Sequence, residues 1–170
     1  RDLTIARSHH VWAADITEIP MRRGFVYLCA ILDWASRRVL AWRLSNTLTT
    51  DFCLEAVQEA ITRYGLPEIF NTDQGCQFTS QEFTGLLQAH GIQISGMGQG
   101  AGRDNVFVER LGGASNRKRY LHAYETVGAA REGVARYMNF YNQLRPHRAL
   151  DGRTPDRVYW ENLPARPPAA

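Results

Sequence analysis

Three acidic residues have the types and spacing that could perform chemistry at phosphorus: Asp15, Asp73 and Glu109. Asp15 lies among small and apolar neighbours, where a carboxylate is costly unless it is paired with a cation or bound to a metal. Carboxylate oxygens suit Mg²⁺ or Mn²⁺, and the sequence has no His or Cys residues at the spacing typical of a zinc site. Two such ions about 4 Å apart would activate a nucleophile and stabilise the leaving oxygen of an in-line displacement.

Each acid also has an ordinary interpretation when it is taken alone. Asp15 could be neutralised by a nearby arginine. Asp73 stands two residues before a glycine, where aspartate is common as a turn residue. A glutamate such as Glu109 is most often on the solvated face of a helix. Only the convergence of all three at one end of a sheet favours the catalytic interpretation over these alternatives.

The elements that must position the acids follow from the hydrophobic pattern. We predict strands at Val11 to Ile19, Phe25 to Asp33, Arg38 to Leu44, Glu68 to Asn71 and Ile92 to Ser95, and helices at Thr50 to Tyr64, at Thr79 or Ser80 to His90, from Asp104 onward, and at Thr126 to Leu144. Short connections make the first three strands antiparallel, and the later alternation of strands and helices gives a mixed α/β sheet of five strands with helices on both faces.

Finer local patterns place the acids within these elements. Alternation along the first strand puts Asp15 on the same face as Ala13 and Thr17. The spacing of Thr79 and Glu82 is that of a capping box. The segment 96–102 contains four glycines and predicts a loop, either a mobile lid over the site or a plain connector.

Composition limits the class of protein. A chain of 170 residues with 44% apolar residues fits one folded domain, and no apolar run is long enough to span a membrane. The cysteines Cys29, Cys53 and Cys76 are odd in number and lack C-x-x-C spacing, which predicts reduced thiols in a cytoplasm. We assign 1–156 to the core and 157–170 to an extended, proline-rich tail. The absence of an initial Met suggests a piece of a longer chain.

Charge is unevenly distributed along the chain. Nineteen of the 20 basic residues are arginine, and residues 103–170 contain 12 basic against seven acidic side chains, whereas residues 1–102 contain eight against ten. A basic half suits a partner that carries phosphate, because arginine binds phosphate through two hydrogen bonds and each contact releases counterions. A GC-rich genome would explain the abundance of arginine equally well.

Five stretches together resemble the integrase-like catalytic core of bacterial insertion-sequence transposases of the IS-three type, which are relatives of retroviral integrases with the ribonuclease-H-like fold. The matching stretches are Val11 to Thr17, Leu32 to Arg37, Thr72 to Ser80, Asp104 to Arg110 and Phe140 to His147. They span nearly the whole chain, and 35 residues separate Asp73 from Glu109, as the DDE signature of this family requires.

The resemblance implies a function for these residues. It implies that Asp15, Asp73 and Glu109 hold two Mg²⁺ or Mn²⁺ ions, and that the protein cuts DNA at transposon ends and joins a 3′-hydroxyl to target DNA. It also implies a homo-oligomer acting in the bacterial cytoplasm at the nucleoid, with a helix-turn-helix region upstream of the core. The candidate DNA-binding residues are Asn105, Arg117, Lys118, Arg119, Arg145 and His147, for which helix capping and packing are the alternative roles.

One segment departs from the family pattern. Members usually carry Lys or Arg seven residues after the glutamate, on the same helix face, but this sequence has Asn116 there. Gly112 and Gly113 also weaken the helix, at about 1 kcal/mol each relative to alanine. The segment from Gly112 to Arg119 therefore leaves an alternative, which is a catalytically impaired transposase remnant that still binds DNA or intact transposase.

Overall fold

A five-stranded mixed sheet forms the centre of the molecule. The computed structural model describes residues 7–72, 78, 80–95 and 123–164. The strands are β1 (Val11–Pro20), β2 (Phe25–Asp33), β3 (Val39–Ser45), β4 (Ile69–Asn71) and β5 (Gln93–Ser95). Their order is β3-β2-β1-β4-β5. β1 to β3 are antiparallel and β4 and β5 run parallel to β1, which confirms the predicted sheet.

Four α-helices are described, and three of them begin at a capping hydroxyl. They are α1 (Asp51–Tyr64), α2 (Gln81–Ala89), α3 (Val127–Gln143) and α4 (Pro155–Glu161), and a short 3₁₀ helix covers Arg148–Leu150. Ser80, Thr126 and Thr154 each accept a hydrogen bond from the N–H three residues on, which satisfies an otherwise unpaired donor of the first turn. α1 ends at Gly65, whose φ of 89° favours glycine.

Helices cover both faces of the sheet. On one face Trp12, Cys29, Ile31 and Phe70 are buried with residues of α1, α2 and α4. On the other face, β2 and β3 pack against α3, with these residues buried together: Ile19, Val26, Leu28, Ala30, Leu32, Val39, Val134, Met138 and Tyr141. Because both faces of β2 are buried, its sequence is apolar almost throughout.

The two ends of the described chain meet. The Ser8 N–H donates to the carbonyl oxygen of Asn162 at 2.9 Å, and Ser8 Oγ donates to the carbonyl oxygen of Tyr159 at 2.8 Å. Ser8 is completely buried by this contact. The residues just before β1 are thus held against α4.

Two local predictions need correction. The sequence predicts an extended tail from residue 157, but the chain is helical through Glu161, because Thr154 caps a helix whose first residue is Pro155, where the missing N–H costs nothing. The cap of α2 is the Ser80 hydroxyl, which accepts from the Phe83 N–H at 3.2 Å, whereas Thr79 lies outside the described residues.

Candidate active site

Asp15 lies in the middle of β1, on the face covered by α3. It pairs with Ala30 across the antiparallel ladder, and Ala30 is buried on the α3 side of the sheet together with Ile19. Paired residues of neighbouring strands point to the same face, so the predicted alternation is confirmed. The Asp15 side chain is half-buried, and its Oδ1 accepts a hydrogen bond from the Ile16 N–H at 2.8 Å.

The carboxyl end of β4 lies beside Asp15. Ala13 pairs with Asn71 in the parallel ladder, and the Thr72 N–H donates to the Ser95 carbonyl oxygen at 3.2 Å. Asp15 follows Ala13 by two residues along β1. In open sheets, ligands bind at the carboxyl ends of parallel strands, so this edge is where a site is expected.

The described residues include only part of the predicted site. Asp73 and Glu109 lie outside them, as do the glycine-rich segment 96–102 and the helix predicted from Asp104. The same holds for Asn105 and the basic residues Arg117, Lys118 and Arg119. Within the described ranges, no group of three His, Cys, Asp or Glu side chains is arranged to hold a metal ion.

The surroundings of Asp15 suit a divalent ion bound by oxygen. The carboxylate is half-buried and accepts a hydrogen bond through Oδ1, and its neighbours Ala13 and Ala30 are buried alanines. A hard cation prefers such a carboxylate oxygen to nitrogen or sulfur ligands.

Arg145 and His147 lie just beyond the last turn of α3. The Arg145 N–H donates to the Phe140 carbonyl oxygen at 2.9 Å, and Arg145 Nη1 donates to the Tyr137 hydroxyl at 3.2 Å. The His147 N–H donates to the Arg153 carbonyl oxygen at 3.1 Å. The backbone of both predicted DNA-binding residues is therefore fixed.

The electrostatic environment of His147 keeps its ring neutral. The ring packs edge-on against Tyr141, with ring centres 4.7 Å apart. Burial lowers the pKa of His147 below its usual 6.5, and the positive charges of Arg145 and Arg37 lower it further. Burial also raises the pKa of the Tyr141 hydroxyl. Near neutral pH both groups are uncharged hydrogen-bonding groups.

The sequence matches a family of known proteins along most of its length. An integrase core domain model matches residues 6–99, which is more than half of the chain, and a second integrase core domain model matches residues 90–155. The chain belongs to the integrase core domain family.

Bacterial transposases are among the relatives of this integrase core. The transposase for insertion sequence element IS904 of Lactococcus lactis is 32% identical over 151 residues, which are 85% of this chain and 59% of that protein. Transposase InsF for insertion sequence IS3A of Escherichia coli is 29% identical over 168 residues, which are 96% of this chain and 58% of that protein. The integrase core thus spans less than three fifths of the length of these relatives.

Solved structures with the same fold include retroviral integrases. The HTLV-2 integrase catalytic core, solved in a dimeric form in complex with magnesium, is 22% identical and has a TM-score of 0.66, covering 90% of this chain and 97% of that one. A chain of the simian T-cell lymphotropic virus intasome is 20% identical and has a TM-score of 0.77, covering all of this chain and 61% of that one. The predicted ribonuclease-H-like fold is confirmed.

A buried polar network of the integrase core was not predicted. The carboxylate of Asp33 is completely buried and accepts hydrogen bonds from the His9 N–H at 2.7 Å, the Ser36 N–H at 3.1 Å and the Ser36 hydroxyl at 2.6 Å. It fixes the turn between β2 and β3. Asp33 occurs in a stretch that resembles the family, and here that stretch has a structural role.

Arg38 and Arg37 have different environments although they are adjacent. Arg38 donates to the carboxylate of Asp156 at 2.8 Å and to the Tyr64 hydroxyl at 2.7 Å. Burial disfavours its charge, but these two hydrogen bonds outweigh that effect and raise its pKa. Arg37 instead has a left-handed backbone with φ of 67° and lies close enough to lower the pKa of His147. Two sequence features could have indicated a functional role for Arg37, namely its place in a turn and the unusual abundance of arginine in the chain.

Two further features of the integrase core bear on function. A groove of about 620 Å³ runs along β3 between α1 and α3, but Asp15, Arg145 and His147 do not line it. Among the described helices, none combines the length and the apolar character that crossing a bilayer requires.

Proposed function

We propose that this chain is the catalytic core of an insertion-sequence transposase, which cuts and joins DNA strands with divalent metal ions. The observation that carries the proposal is the register between β1 and β4. Ala13 pairs with Asn71, and each of the two aspartates, Asp15 and Asp73, follows two residues later in its own segment. This register favours a short distance between the two carboxylates.

The proposed roles of the acids follow from their chemistry. Asp15 and Asp73, with Glu109, are the oxygen ligands that would hold two Mg²⁺ or Mn²⁺ ions. Two bound ions would supply activation of an attacking water or 3′-hydroxyl and neutralisation of charge on the leaving oxygen. Asp15 is suited to a precise position because it extends from a central strand paired on both sides.

Partners are proposed on the basis of the named relatives. The substrates are the DNA ends of the element and a target DNA, and the active form is a homo-oligomer in the bacterial cytoplasm at the nucleoid. A helix-turn-helix region of the full transposase recognises the element ends. The candidate DNA contacts within this core are Arg145 and His147, with these further residues from outside the described ranges: Asn105, Arg117, Lys118 and Arg119.

Cleavage of a labelled element end tests the proposed activity. We expect Mg²⁺-dependent cleavage by the unmodified chain and loss of cleavage in Asp73→Asn, because the amide removes the charge that binds the ion. Asp51→Asn is the matched control, since Asp51 is exposed in the first turn of α1. Equal cleavage by the unmodified chain and Asp73→Asn would contradict the proposal.

The second candidate is an impaired transposase remnant that still binds DNA or intact transposase. The observation that favours it is the sequence from Gly112 to Arg119, with Asn116 at the position where the family usually has a basic residue. This candidate predicts DNA binding without cleavage, and recovery of cleavage in Asn116→Lys. Strong cleavage by the unmodified chain would exclude it.

A further inference from the structure

The turn that carries Arg37 is rigid. Its ends are joined by the Asp33 N–H, which donates to the Arg38 carbonyl oxygen at 2.9 Å, and by the Arg37 N–H, which donates to the Asp33 carbonyl oxygen at 2.8 Å. The carboxylate of Asp33 holds Ser36 within the same turn. Arg37 keeps a left-handed backbone, which non-glycine residues seldom adopt and which is often found at functional sites.

This turn is fastened to the end of α3. The side-chain amide of Asn142 accepts from the Val39 N–H at 2.9 Å and donates to the Val39 carbonyl oxygen at 2.9 Å. Val39 is two residues after Arg37, and Asn142 is three residues before Arg145. The same two hydrogen bonds therefore hold the turn that carries Arg37 against the end of α3, which lies just before Arg145.

Aromatic residues complete the surroundings of these cations. Tyr137 accepts the hydrogen bond from Arg145, and its ring centre lies 6.5 Å from that of Tyr141, against which His147 packs. Within the described residues, Arg145 forms no ion pair with a carboxylate. We call Arg37, Arg145 and His147 the cluster: two guanidinium groups act electrostatically on a neutral imidazole, and all three residues are half-exposed.

The cluster lies on the same face of the sheet as Asp15. Tyr141 is buried with Ala30 and Leu32 on the α3 side, and Ala30 is the partner of Asp15 across the ladder. A DNA strand that reached Asp15 over this face would find the cluster on the side toward the start of β1.

We propose that Arg37, Arg145 and His147 together bind one backbone phosphate of the DNA and so position the strand relative to Asp15. This inference rests on the proposed function, and it adds Arg37 as a positioning residue. Two guanidinium groups that approach one phosphate provide several charge-assisted hydrogen bonds. The imidazole adds a hydrogen bond without adding charge.

The salt dependence of DNA binding tests the cluster. Affinity of the full 170-residue chain for duplex DNA is measured by fluorescence anisotropy at several salt concentrations. We expect the double variant Arg37→Asn with Arg145→Gln to lower the slope of log K against log salt by about 0.9, the value for one phosphate. Asparagine tolerates the left-handed turn, so the fold should survive, and an unchanged Tm checks this.

Two further variants refine the test. Arg136→Gln is the matched control, because Arg136 is an exposed arginine of α3 outside the cluster, and its slope should match that of the unmodified chain. Arg37→Lys keeps a positive charge and should retain the slope. Each single variant should weaken DNA binding. The product of the two fold-changes in affinity should exceed the fold-change of the double variant, since both residues contact one phosphate.

The possible outcomes separate the cluster from the proposed function. The proposal that the cluster binds a DNA phosphate would be overturned by equal slopes for the double variant and Arg136→Gln. Absence of DNA binding by the unmodified chain would overturn it as well. Cleavage with equal slopes would leave the proposed function standing, whereas a lowered slope without cleavage would support the cluster and count against the function. If inorganic phosphate raised the Tm of the unmodified chain and not of the double variant while DNA slopes stayed equal, the cluster would bind small anions and the DNA assignment would be wrong.

Discussion

The side-chain amide of Asn142 pairs with both backbone hydrogen-bonding groups of Val39, each at 2.9 Å, across 103 residues of sequence. It acts as a further strand residue at the edge of the sheet. The pairing occurs where the register of β2 and β3 shifts between Ile31 and Leu32. It therefore satisfies an irregular part of β3, which is an edge strand and, among the described residues, has a neighbouring strand, β2, on one side only.

Replacing Asn142 should destabilise the fold. We expect Asn142→Ala to lower the free energy of unfolding by about 2 kcal/mol, since two hydrogen bonds contribute about 1 kcal/mol each. Asn139→Ala, an exposed control on the same helix, should change it by less than about 0.5 kcal/mol. Urea denaturation measures both, and equal losses would contradict the role assigned to the amide.

His9 should make stability depend on pH. His9 Nδ1 accepts from the Trp12 indole N–H at 3.0 Å, and His9 Nε2 lies within hydrogen-bond distance of the Tyr159 hydroxyl. Burial lowers the pKa of His9 below 6.5, although Asp33 opposes this and Arg38 favours it. Below pH 6.5 the unfolded chain binds the proton more readily, so stability falls as pH decreases, by at most about 1.4 kcal/mol per pH unit.

A substitution isolates this effect. His9→Asn should flatten the pH dependence of the unfolding free energy between pH 7 and 5, because asparagine does not titrate. The change should be no larger than the contribution of one proton. Asparagine also tolerates the left-handed φ of 67° found at residue 9. His90→Gln is the control, as His90 is exposed. His147 contributes in the same direction in every variant. An unchanged profile in His9→Asn would mean that other groups cause the dependence.

Two glycines of α3 should respond to alanine with opposite signs. A Cβ at residue 133 would overlap the Tyr124 ring, lying 2.6 Å from its Cε1 and Cζ atoms, whereas at residue 128 the nearest atom is 3.9 Å away. Gly133→Ala should lower the unfolding free energy by about 1 kcal/mol or more. Gly128→Ala should raise it by up to about 1 kcal/mol through helix propensity. Thermal melting of both variants checks the prediction, and stabilisation by Gly133→Ala would show that Tyr124 moves freely.

Asp15 should couple Mg²⁺ to stability. With Mg²⁺ at ten times its dissociation constant, we expect the unfolding free energy of the unmodified chain to rise by about 1.4 kcal/mol. Asp15→Asn should lose this rise, although its side-chain oxygen can still accept from the Ile16 N–H. Glu18→Gln, an exposed control in the same strand, should keep it. Equal stabilisation of the unmodified chain and Asp15→Asn would place the ion elsewhere.

Much of the fold could be predicted because local patterns determine it. The continuous apolar run of β2 and the alternation of β1 give the strands and the face of Asp15. The helix of Pro155 was missed because the number of prolines nearby favoured an extended segment, although Thr154 followed by Pro155 is a pattern that starts helices.

Within the candidate site, the place of Asp15 in a strand could be predicted from the sequence, whereas the surroundings of Arg37 could not. Asp15 stands out because it is a charged residue within a predicted strand, and this pattern is visible in a single sequence. Arg37 depends on a turn held by Asp33 and on the contact between Val39 and Asn142. Such contacts join residues far apart in sequence, so no local pattern contains them.

The hydrogen bonds from Ser8 to Tyr159 and Asn162 make the described chain nearly a closed ring. The chain could therefore be connected in a different order without changing how its helices and strands pack. We expect a circular permutant that joins residue 164 to residue 7 through a short linker, and opens in the exposed connection at residues 46–49, to keep every element of the sheet in place. In such a molecule the strand that carries Asp15 would stand in the interior of the sequence.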